Sequence, residues 1–440
     1  MINGAAIFST LGNPNSLVPL AIKDMSSTAG VTAASFATGR EEGQDRFIDE
    51  VGTQIIWLAG IPFFKWLFDK TIFKSYGLDS KFDVRNLKDK DVFEKIKNYA
   101  PTDEVKKSIE KISKKQSLFK NIAFYKFLFS TGTTIACYIG LTRAKQAYTE
   151  KKIRENLIAE HSQKKNKDSK KQSQAQTEVS FKGAGDVVKN FAFSPVKNMW
   201  LLDGAITGER LLDSRTPQEF VGYGIKEGLY LFFLYYAGGK IQEYMEKRAD
   251  KKYNKSIGLD ARVLENGKLQ KAFEDGSIKE SIENFKAASN SKDADLYEFL
   301  YKNPENKIVK AAKESDIIKM YKKPQKWYQF FSKAEVTDKI DTRKYIDLEK
   351  LRGVYKNIET LYSQYLEGLQ KGETTEMFFK GVKKLKRGSV ITNIAASIFA
   401  LAIVVPCAML GKRLLGKDDA EFQTKSEIRK QLIEEGLISA

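Results

Sequence analysis

The side chains that most often perform chemistry are scarce in this sequence. Its 440 residues include one histidine, His161, and two cysteines, Cys137 and Cys407. His161 lies in a lysine-rich polar tract, whereas both cysteines lie inside apolar runs. Histidine-based catalytic triads, two-histidine metal sites and cysteine-ligated zinc sites therefore lack the residues that they need, and a secreted disulfide scaffold is excluded.

Motifs that bind phosphates or cofactors are also missing from the sequence. It has no P-loop, dinucleotide glycine fingerprint, nucleophile elbow or kinase motif, and no zinc-finger or RNA-binding signature. The nearest glycine cluster, Gly183-Ala-Gly185, has no strand before it. We therefore predict no catalytic, cofactor-binding or metal-binding residues and expect a protein that is not an enzyme. A site made of carboxylates alone is the enzymatic alternative.

Lysine dominates the charged residues. Lys and Arg number 74 against 56 Asp and Glu, which gives a formal net charge of +18. Acidic residues are interleaved with them, as in KDKDVFEKIK at 88–97. The excess fits attraction to a polyanion, and it equally fits the solvated surface of lysine-rich helices. Without a nucleic-acid-binding motif, we expect no nucleic-acid partner.

Four apolar segments stand out in the sequence, and the helices that they form must position any functional side chains: 51–68, 121–141, 220–239 and 389–410. The last carries no charge and, at 1.5 Å per residue, is about long enough to cross a hydrocarbon layer of ~30 Å. Lys126 lies near the start of the second, from where its ammonium can reach the interface. The other two are weaker. We predict an integral, multi-pass membrane protein; the alternative is a set of buried helices in a soluble core.

Five short segments recur in the same order along the chain, which predicts a tandem duplication. The matched pairs are Ala21–Met25 with Pro195–Met199, Asp45–Phe47 with Gln218–Phe220, Lys74–Asp79 with Lys255–Asp260, Asp91–Glu94 with Asp295–Glu298, and Ser117–Ala123 with Ser389–Ala395. Lysines flank the stronger segments on both sides, so charge leaves open whether the repeats are parallel or inverted.

The predicted fold class is all-α, with membrane-embedded helices from two tandem homologous repeats and an added soluble helical domain in the second repeat. The predicted divisions are an N-terminal segment 1–20, repeat one 21–150, a basic polar linker 151–194, repeat two 195–417 with a helical insertion at about 261–388, and a tail 418–440.

The repeated Gly-Leu-Asp tripeptide is typical of structural punctuation. Gly77 and Gly258 suit left-handed helix stops, and Asp79 and Asp260 suit the N-caps of the helices that follow. A binding role for the two aspartates is the alternative. Thr102 is a further predicted N-cap, before a helix whose apolar face would carry Val105, Ile109 and Ile112.

Two polar or amphipathic regions suggest partners. The linker carries a lysine cluster that would attract anionic lipid head groups and favours a cytoplasmic position, unless it is only a solvated tether: Lys164, Lys165, Lys167, Lys170 and Lys171. A heptad stripe predicts either a coiled coil with a partner chain or a second copy, or packing inside a helical bundle: Leu348, Leu351, Tyr355, Ile358, Tyr362, Tyr365 and Leu369. The basic and aromatic segment Lys322–Phe331 suits a head-group interface or a core.

Duplicated apolar segments without a cluster of reactive side chains favour a membrane scaffold or a component that organises the membrane or assembles with partners. A transporter or channel component is the second hypothesis, with Glu227 as its main intramembrane acid. A peripheral helical protein that binds anionic lipid or nucleic acid through its lysines is the third.

Overall fold

A computed structural model describes residues 8, 10–12, 17–38, 40–162, 195–212, 217–323, 335–407 and 428–438. Most of these residues are helical, and the strands among them form a single antiparallel hairpin of Met320–Lys322 (β1) and Val336–Ile340 (β2). The predicted all-α fold is confirmed. The linker lysines from Lys164 to Lys171, and residues 324–331 of the basic and aromatic segment, lie outside the described residues.

The helices are labelled in chain order. They are α1 (Leu17–Thr38), α2 (Arg40–Phe68), α3 (Lys90–Asn98), α4 (Asp103–Lys114), α5 (Gln116–Ser162), α6 (Pro195–Leu212), α7 (Pro217–Leu231), α8 (Gly238–Tyr253), α9 (Ala261–Glu265), α10 (Lys268–Glu274), α11 (Ser277–Ser289), α12 (Asp293–Lys302), α13 (Lys307–Glu314), α14 (Leu348–Gln370) and α15 (Thr375–Phe399). Wider π-helical turns continue α2, α7 and α15, at Asp69–Phe73, Phe232–Ala237 and Ala400–Val404. Helix α5 includes 151–162, so the predicted linker begins as helix.

The chain forms two compact units. The first unit contains the described residues of Met1–Leu20, Lys65–Phe127 and Gly238–Ala396. The second unit contains those of Ala21–Phe64, Leu128–Ala237 and Ser397–Ala440.

The first unit has a continuous apolar core that local sequence signals build. The hydroxyl of Thr102 accepts a hydrogen bond from the backbone N–H of Val105 at 3.3 Å, which caps α4. The apolar face of that helix, Val105, Ile109 and Ile112, is buried in the core. The predicted cap and the predicted face are both confirmed.

The heptad stripe of α14 packs into the same core. Leu348, Leu351, Tyr355, Ile358 and Tyr365 are buried there, and Tyr362 packs against them. Leu369, at the end of the stripe, is exposed. The stripe therefore packs inside a helical bundle, which was one of its two predicted uses, and contact with a partner chain through Leu369 stays a prediction.

The two Gly-Leu-Asp glycines have different roles. Gly77 adopts a left-handed conformation with φ +58° and ends its helix, as predicted. At the second copy the prediction is wrong, because Asn254, with φ 49°, is the left-handed residue. Gly258 instead lies against α14, where a Cβ atom would come within 2.8 Å of the Asn357 Oδ1 atom. Close packing against the Asn357 side chain, rather than backbone conformation, therefore distinguishes this glycine.

The two aspartates differ as well. The carboxylate of Asp260 accepts a hydrogen bond from the N–H of Arg262 and caps α9, as predicted. The carboxylate of Asp79 closes a turn by accepting from the N–H of Lys81 at 2.8 Å. The short 3₁₀ helix Val84–Leu87 that follows is capped by Asp83, so the predicted N-cap role of Asp79 is wrong.

Among the described residues, three helices are long and apolar enough to cross a membrane: Glu50–Phe73, Gln116–Ala144 and Thr375–Cys407. They contain the predicted segments 51–68 and 121–141, and the described part, 389–407, of the predicted segment 389–410. The 220–239 segment is not among them, since α7 carries Lys226 and Glu227. The charge of Lys126 is paired, because its Nζ atom lies 2.6 Å from the Asp69 carboxylate.

Small side chains allow helices of the second unit to approach closely, as in membrane helix bundles. A Cβ atom on Gly30 would overlap the carbonyl oxygen of Ala402 and lie 2.7 Å from its Cα atom. Pro406 has no N–H to donate to that carbonyl, four residues earlier in the chain. A Cβ atom on Gly60 would lie 2.7 Å from Cγ2 of Thr134.

We expect Gly30→Ala to destabilise the second unit, because the added methyl group meets backbone that cannot rotate away. Overpacking of this kind costs about 1–3 kcal/mol, which should lower the thermal midpoint of the detergent-purified protein by several degrees. Gly204→Ala is the matched control, since nothing lies within 4 Å of a Cβ atom there. Equal midpoints for the two variants would contradict the close approach.

Candidate functional site

The second unit encloses a cavity of about 40 Å³ that is lined by ionisable side chains. Four helices each contribute one carboxyl group: Asp24 from α1, Glu50 from α2, Asp203 from α6 and Glu227 from α7. Lys226 contributes the ammonium group of the lining. Since burial of charge is costly unless it is paired, such a cluster is uncommon outside functional sites.

Asp24 is held by donors on two other helices. Its Oδ2 atom accepts a hydrogen bond from Gln54 Nε2 at 2.5 Å, and its Oδ1 atom accepts one from the hydroxyl of Tyr230. Gln54 Nε2 also donates to the hydroxyl of Thr28 at 3.0 Å. Both carboxylate oxygens of Asp24 therefore have donors, which fixes α1 against α2 and α7.

The π-helical turn Phe232–Ala237 aligns a second tyrosine with the cluster. Tyr235 donates from its hydroxyl to Asp203 Oδ2 at 2.5 Å, and it lies five residues after Tyr230. In an α-helix, residues five apart point about 140° away from each other, whereas a π turn has its repeat at i to i+5. The wider turn therefore lets the two tyrosines reach the two aspartates.

Lys226 lies between two carboxylates. Its Nζ atom is 3.6 Å from Glu50 Oε1 and 3.2 Å from Glu227 Oε1. These contacts pair buried charges from α2 and α7 inside the second unit, which lowers the cost of burying them.

A further polar atom that lines the cavity can accept an additional hydrogen bond. The buried Oε1 atom of Gln54 makes no hydrogen bond to a described residue. Gln54 is 9% exposed. Buried polar atoms are nearly always satisfied, so this atom is a place where a water molecule or a ligand could bind in the cavity. The described residues offer no group of three or more His, Cys, Asp or Glu side chains that could hold a metal ion.

The first unit has an ion-pair centre of a different kind. The guanidinium of Arg343 donates to both oxygens of Asp341, at 2.8 Å and 2.9 Å, and to Asp79 Oδ2 at 3.2 Å. Desolvation lowers the pKa of Arg343, but the hydrogen bonds and charges of Asp341 and Asp79 outweigh it and raise the pKa above its ordinary value. The centre joins 79–83 to 341–343, because Asp83 N–H also donates to the Arg343 carbonyl. The Asp79 carboxylate therefore has a structural role as a partner of Arg343.

Within the described residues, the Asp-x-Arg tripeptide of this centre occurs at two more turns, Asp83-Val-Arg85 and Asp260-Ala-Arg262. In each, the arginine donates from its own backbone N–H and its guanidinium to the aspartate two residues earlier. The sequence analysis missed this motif, although its spacing is visible in the sequence. It stabilises turns through local charge-assisted hydrogen bonds.

We expect Arg343→Met to destabilise the first unit by about 3–5 kcal/mol, because it leaves buried carboxylates without their partner. Arg85→Met is the matched control: the Arg85 side chain is 28% exposed against 9% for Arg343, and loss of such a pair costs about 0–1 kcal/mol. Thermal unfolding of the full-length protein measures both. A larger effect of Arg85→Met would contradict the assignment.

Of the acids in the cavity, the sequence analysis singled out Glu227 alone. Asp24 and Asp203 were not predicted, because α1 and α6 were not among the four apolar segments, and Glu50 was not predicted because it lies one residue before the segment 51–68. A signal was present: Asp24 and Asp203 interrupt stretches of small and apolar residues, LVPLAIKDMSSTAG and MWLLDGAITG. Four acids converge only when four separate helices pack together, and no single window of sequence contains that.

Comparison of the chain with protein-family models, with curated proteins and with solved structures gives no match.

Proposed function

We propose that this chain is a multi-pass membrane protein without enzymatic activity, and that its second unit is a component for moving a small cation across the membrane. The observation that supports the proposal is the buried cavity with one carboxyl group from each of four helices. Ionisable groups inside membrane helices are expensive and usually mark an ion or proton path.

The surface of the second unit supports a lipid environment. Large apolar side chains point outward along its helices, among them Ile55 at 63%, Phe63 at 53% and Phe399 at 58% exposed. Polar side chains such as Ser130 and Thr134 are fully buried. In water this distribution would be unfavourable on both counts, whereas in lipid both features are favourable.

The proposal that the chain is not an enzyme rests on its sequence. A single histidine in a polar tract and two cysteines in apolar runs leave few reactive groups, and carboxylates are the remaining candidates. The cavity carboxylates are paired with tyrosine, glutamine and lysine side chains. That pairing suits the holding of a charge in a buried place better than attack on a substrate.

Scaffolding or membrane organisation is the second candidate function. It is favoured by the first unit, a helical domain with its own apolar core, and by three apolar side chains exposed near the junction of α14 and α15: Leu366, Leu369 and Met377. A protein partner could bind there, and the lysines from Lys164 to Lys171 could bind anionic lipid.

We expect purified protein in liposomes to conduct or exchange a monovalent cation, and Glu227→Gln to reduce that flux by at least about tenfold, since one charge of the pathway is lost. Flux of sodium, potassium and protons into the vesicles is the measurement. Glu243→Gln on α8 is the matched control, because Glu243 is exposed and pairs with Lys240 and Lys247. No flux in wild-type vesicles would favour the scaffold; equal flux in both variants would remove Glu227 from the path.

A further inference from the structure

Among the acids that line the cavity, Asp203 has partners that are neutral. It is 5% exposed, and its Oδ2 atom accepts a hydrogen bond from the hydroxyl of Tyr235. The indole of Trp57 lies within hydrogen-bonding reach of the same carboxyl group. In the part of the chain that the structure describes, no lysine or arginine forms an ion pair with Asp203. Its carboxyl group is therefore buried without a positive partner.

Burial and the neighbouring acids favour the protonated form of Asp203. A carboxylate loses its hydration on burial, and neutral donors return only part of that cost. Asp24 on α1 and Glu227 on α7 face the same cavity, and negative charge on either one opposes ionisation of Asp203. The ammonium of Lys226 acts in the opposite direction, but it lies against Glu50 and Glu227 rather than against Asp203. The neutral acid is thus the form of Asp203 that this environment favours.

The two tyrosine hydroxyls of the site leave one oxygen of Asp203 for a proton. Tyr235 donates to Oδ2, so Oδ1 is the oxygen that can be protonated without displacing that hydroxyl. Tyr230 donates to Asp24 instead. Phenols ordinarily lose their proton only near about pH 10. Both hydroxyls therefore remain donors while a carboxyl group gains or loses its proton.

The cavity has room for water that can exchange this proton. Its volume of about 40 Å³ exceeds the roughly 10–15 Å³ that one water molecule needs. The amide oxygen of Gln54 lines the same cavity and makes no hydrogen bond to a described residue, so it can accept one from such a water molecule. Transfer of a proton needs only a carboxyl oxygen and a water molecule within hydrogen-bonding distance.

We propose that Asp203 is a proton-binding site, at which its buried carboxyl group holds an exchangeable proton beside the hydroxyl of Tyr235. The inference deepens the proposed movement of a small cation by naming the proton as that cation, and it rests on that function for its biological meaning. Protonation of a single carboxyl group, however, can be measured without flux.

The test is infrared spectroscopy of the detergent-purified full-length protein as the pH is raised from about 5 to about 9, a range that covers ordinary and strongly perturbed carboxyl groups. A protonated carboxyl group has a C=O stretching band that a carboxylate lacks. We expect a band that is present at neutral pH, disappears at higher pH and is missing from Asp203→Asn. The asparagine keeps an oxygen that can accept from Tyr235, so the packing of α6 is conserved.

Tyr235→Phe should move the titration in a direction that a structural role would not produce. The hydroxyl of Tyr235 stabilises the carboxylate form of Asp203 more than the neutral acid. Its removal should therefore shift the loss of the band to higher pH, by at least about one unit. Glu243→Gln on α8 is the matched control, because Glu243 is exposed, and it should leave the band and its titration unchanged.

The outcomes separate this inference from the proposed function. Absence of a titrating band that depends on Asp203, or a titration of Tyr235→Phe that is not shifted to higher pH, would overturn the proton site even if cation flux is observed. A band with the expected response in both variants, but without proton flux in liposomes, would support the site and count against transport. If Asp203→Asn fails to fold, the wild-type band and its shift in Tyr235→Phe still decide.

Discussion

The second unit is organised by one constraint: ionisable side chains lie inside it and large apolar side chains lie outside. Asp24, Asp203 and Glu227 are buried, while Ile55 and Phe399 are more than half exposed. The membrane location that we propose would account for both halves of the arrangement, since hydrocarbon favours exposed apolar surface and requires polar groups to find partners within the protein. Other features of the unit follow from that demand. The π turn that continues α7 brings the hydroxyl of Tyr235 to Asp203. Gly30 lets α1 approach the carbonyl of Ala402, to which Pro406 cannot donate a hydrogen bond because proline has no backbone N–H.

The first unit has the opposite arrangement of apolar and charged side chains. Its core is a continuous set of apolar side chains, and its charged groups are paired at turns and on the surface. A buried ion-pair centre, around Arg343, lies where two distant parts of the chain meet, and its guanidinium donates to both Asp341 and Asp79. Such a domain is stabilised by burial of apolar area, as soluble helical proteins are.

The sequence predicted those features that depend on neighbouring residues. The all-α fold, the cap at Thr102 and the apolar face of α4 are local patterns, and the described parts of three of the four apolar segments lie in helices of spanning length. Features that depend on distant packing were predicted less well. Gly258 packs closely against Asn357, more than ninety positions away in the sequence, and a tripeptide pattern contains no information on that contact.

The candidate site illustrates the same limit. Glu227 was identified because it lies inside an apolar run, a local signal. Asp24, Glu50 and Asp203 join it only through the packing of α1, α2 and α6, and the π turn that brings in Tyr235 leaves no recognised mark in the sequence. The tandem duplication remains a prediction from sequence, because it requires a comparison between the repeats and not only the presence of helices.

The placement of the second unit in lipid can be tested at Cys137, which is exposed on the protein surface. In a Cys407→Ser background Cys137 is the only thiol of the chain. Membranes that contain this protein would be treated with a charged maleimide before and after addition of SDS, with Lys107→Cys on the exposed face of α4 as the accessible reference. Our account predicts no labelling of Cys137 until SDS is added, because thiolates do not form in hydrocarbon. Labelling of Cys137 in intact membranes at the rate of the reference would show that this face is in water, and it would contradict the account.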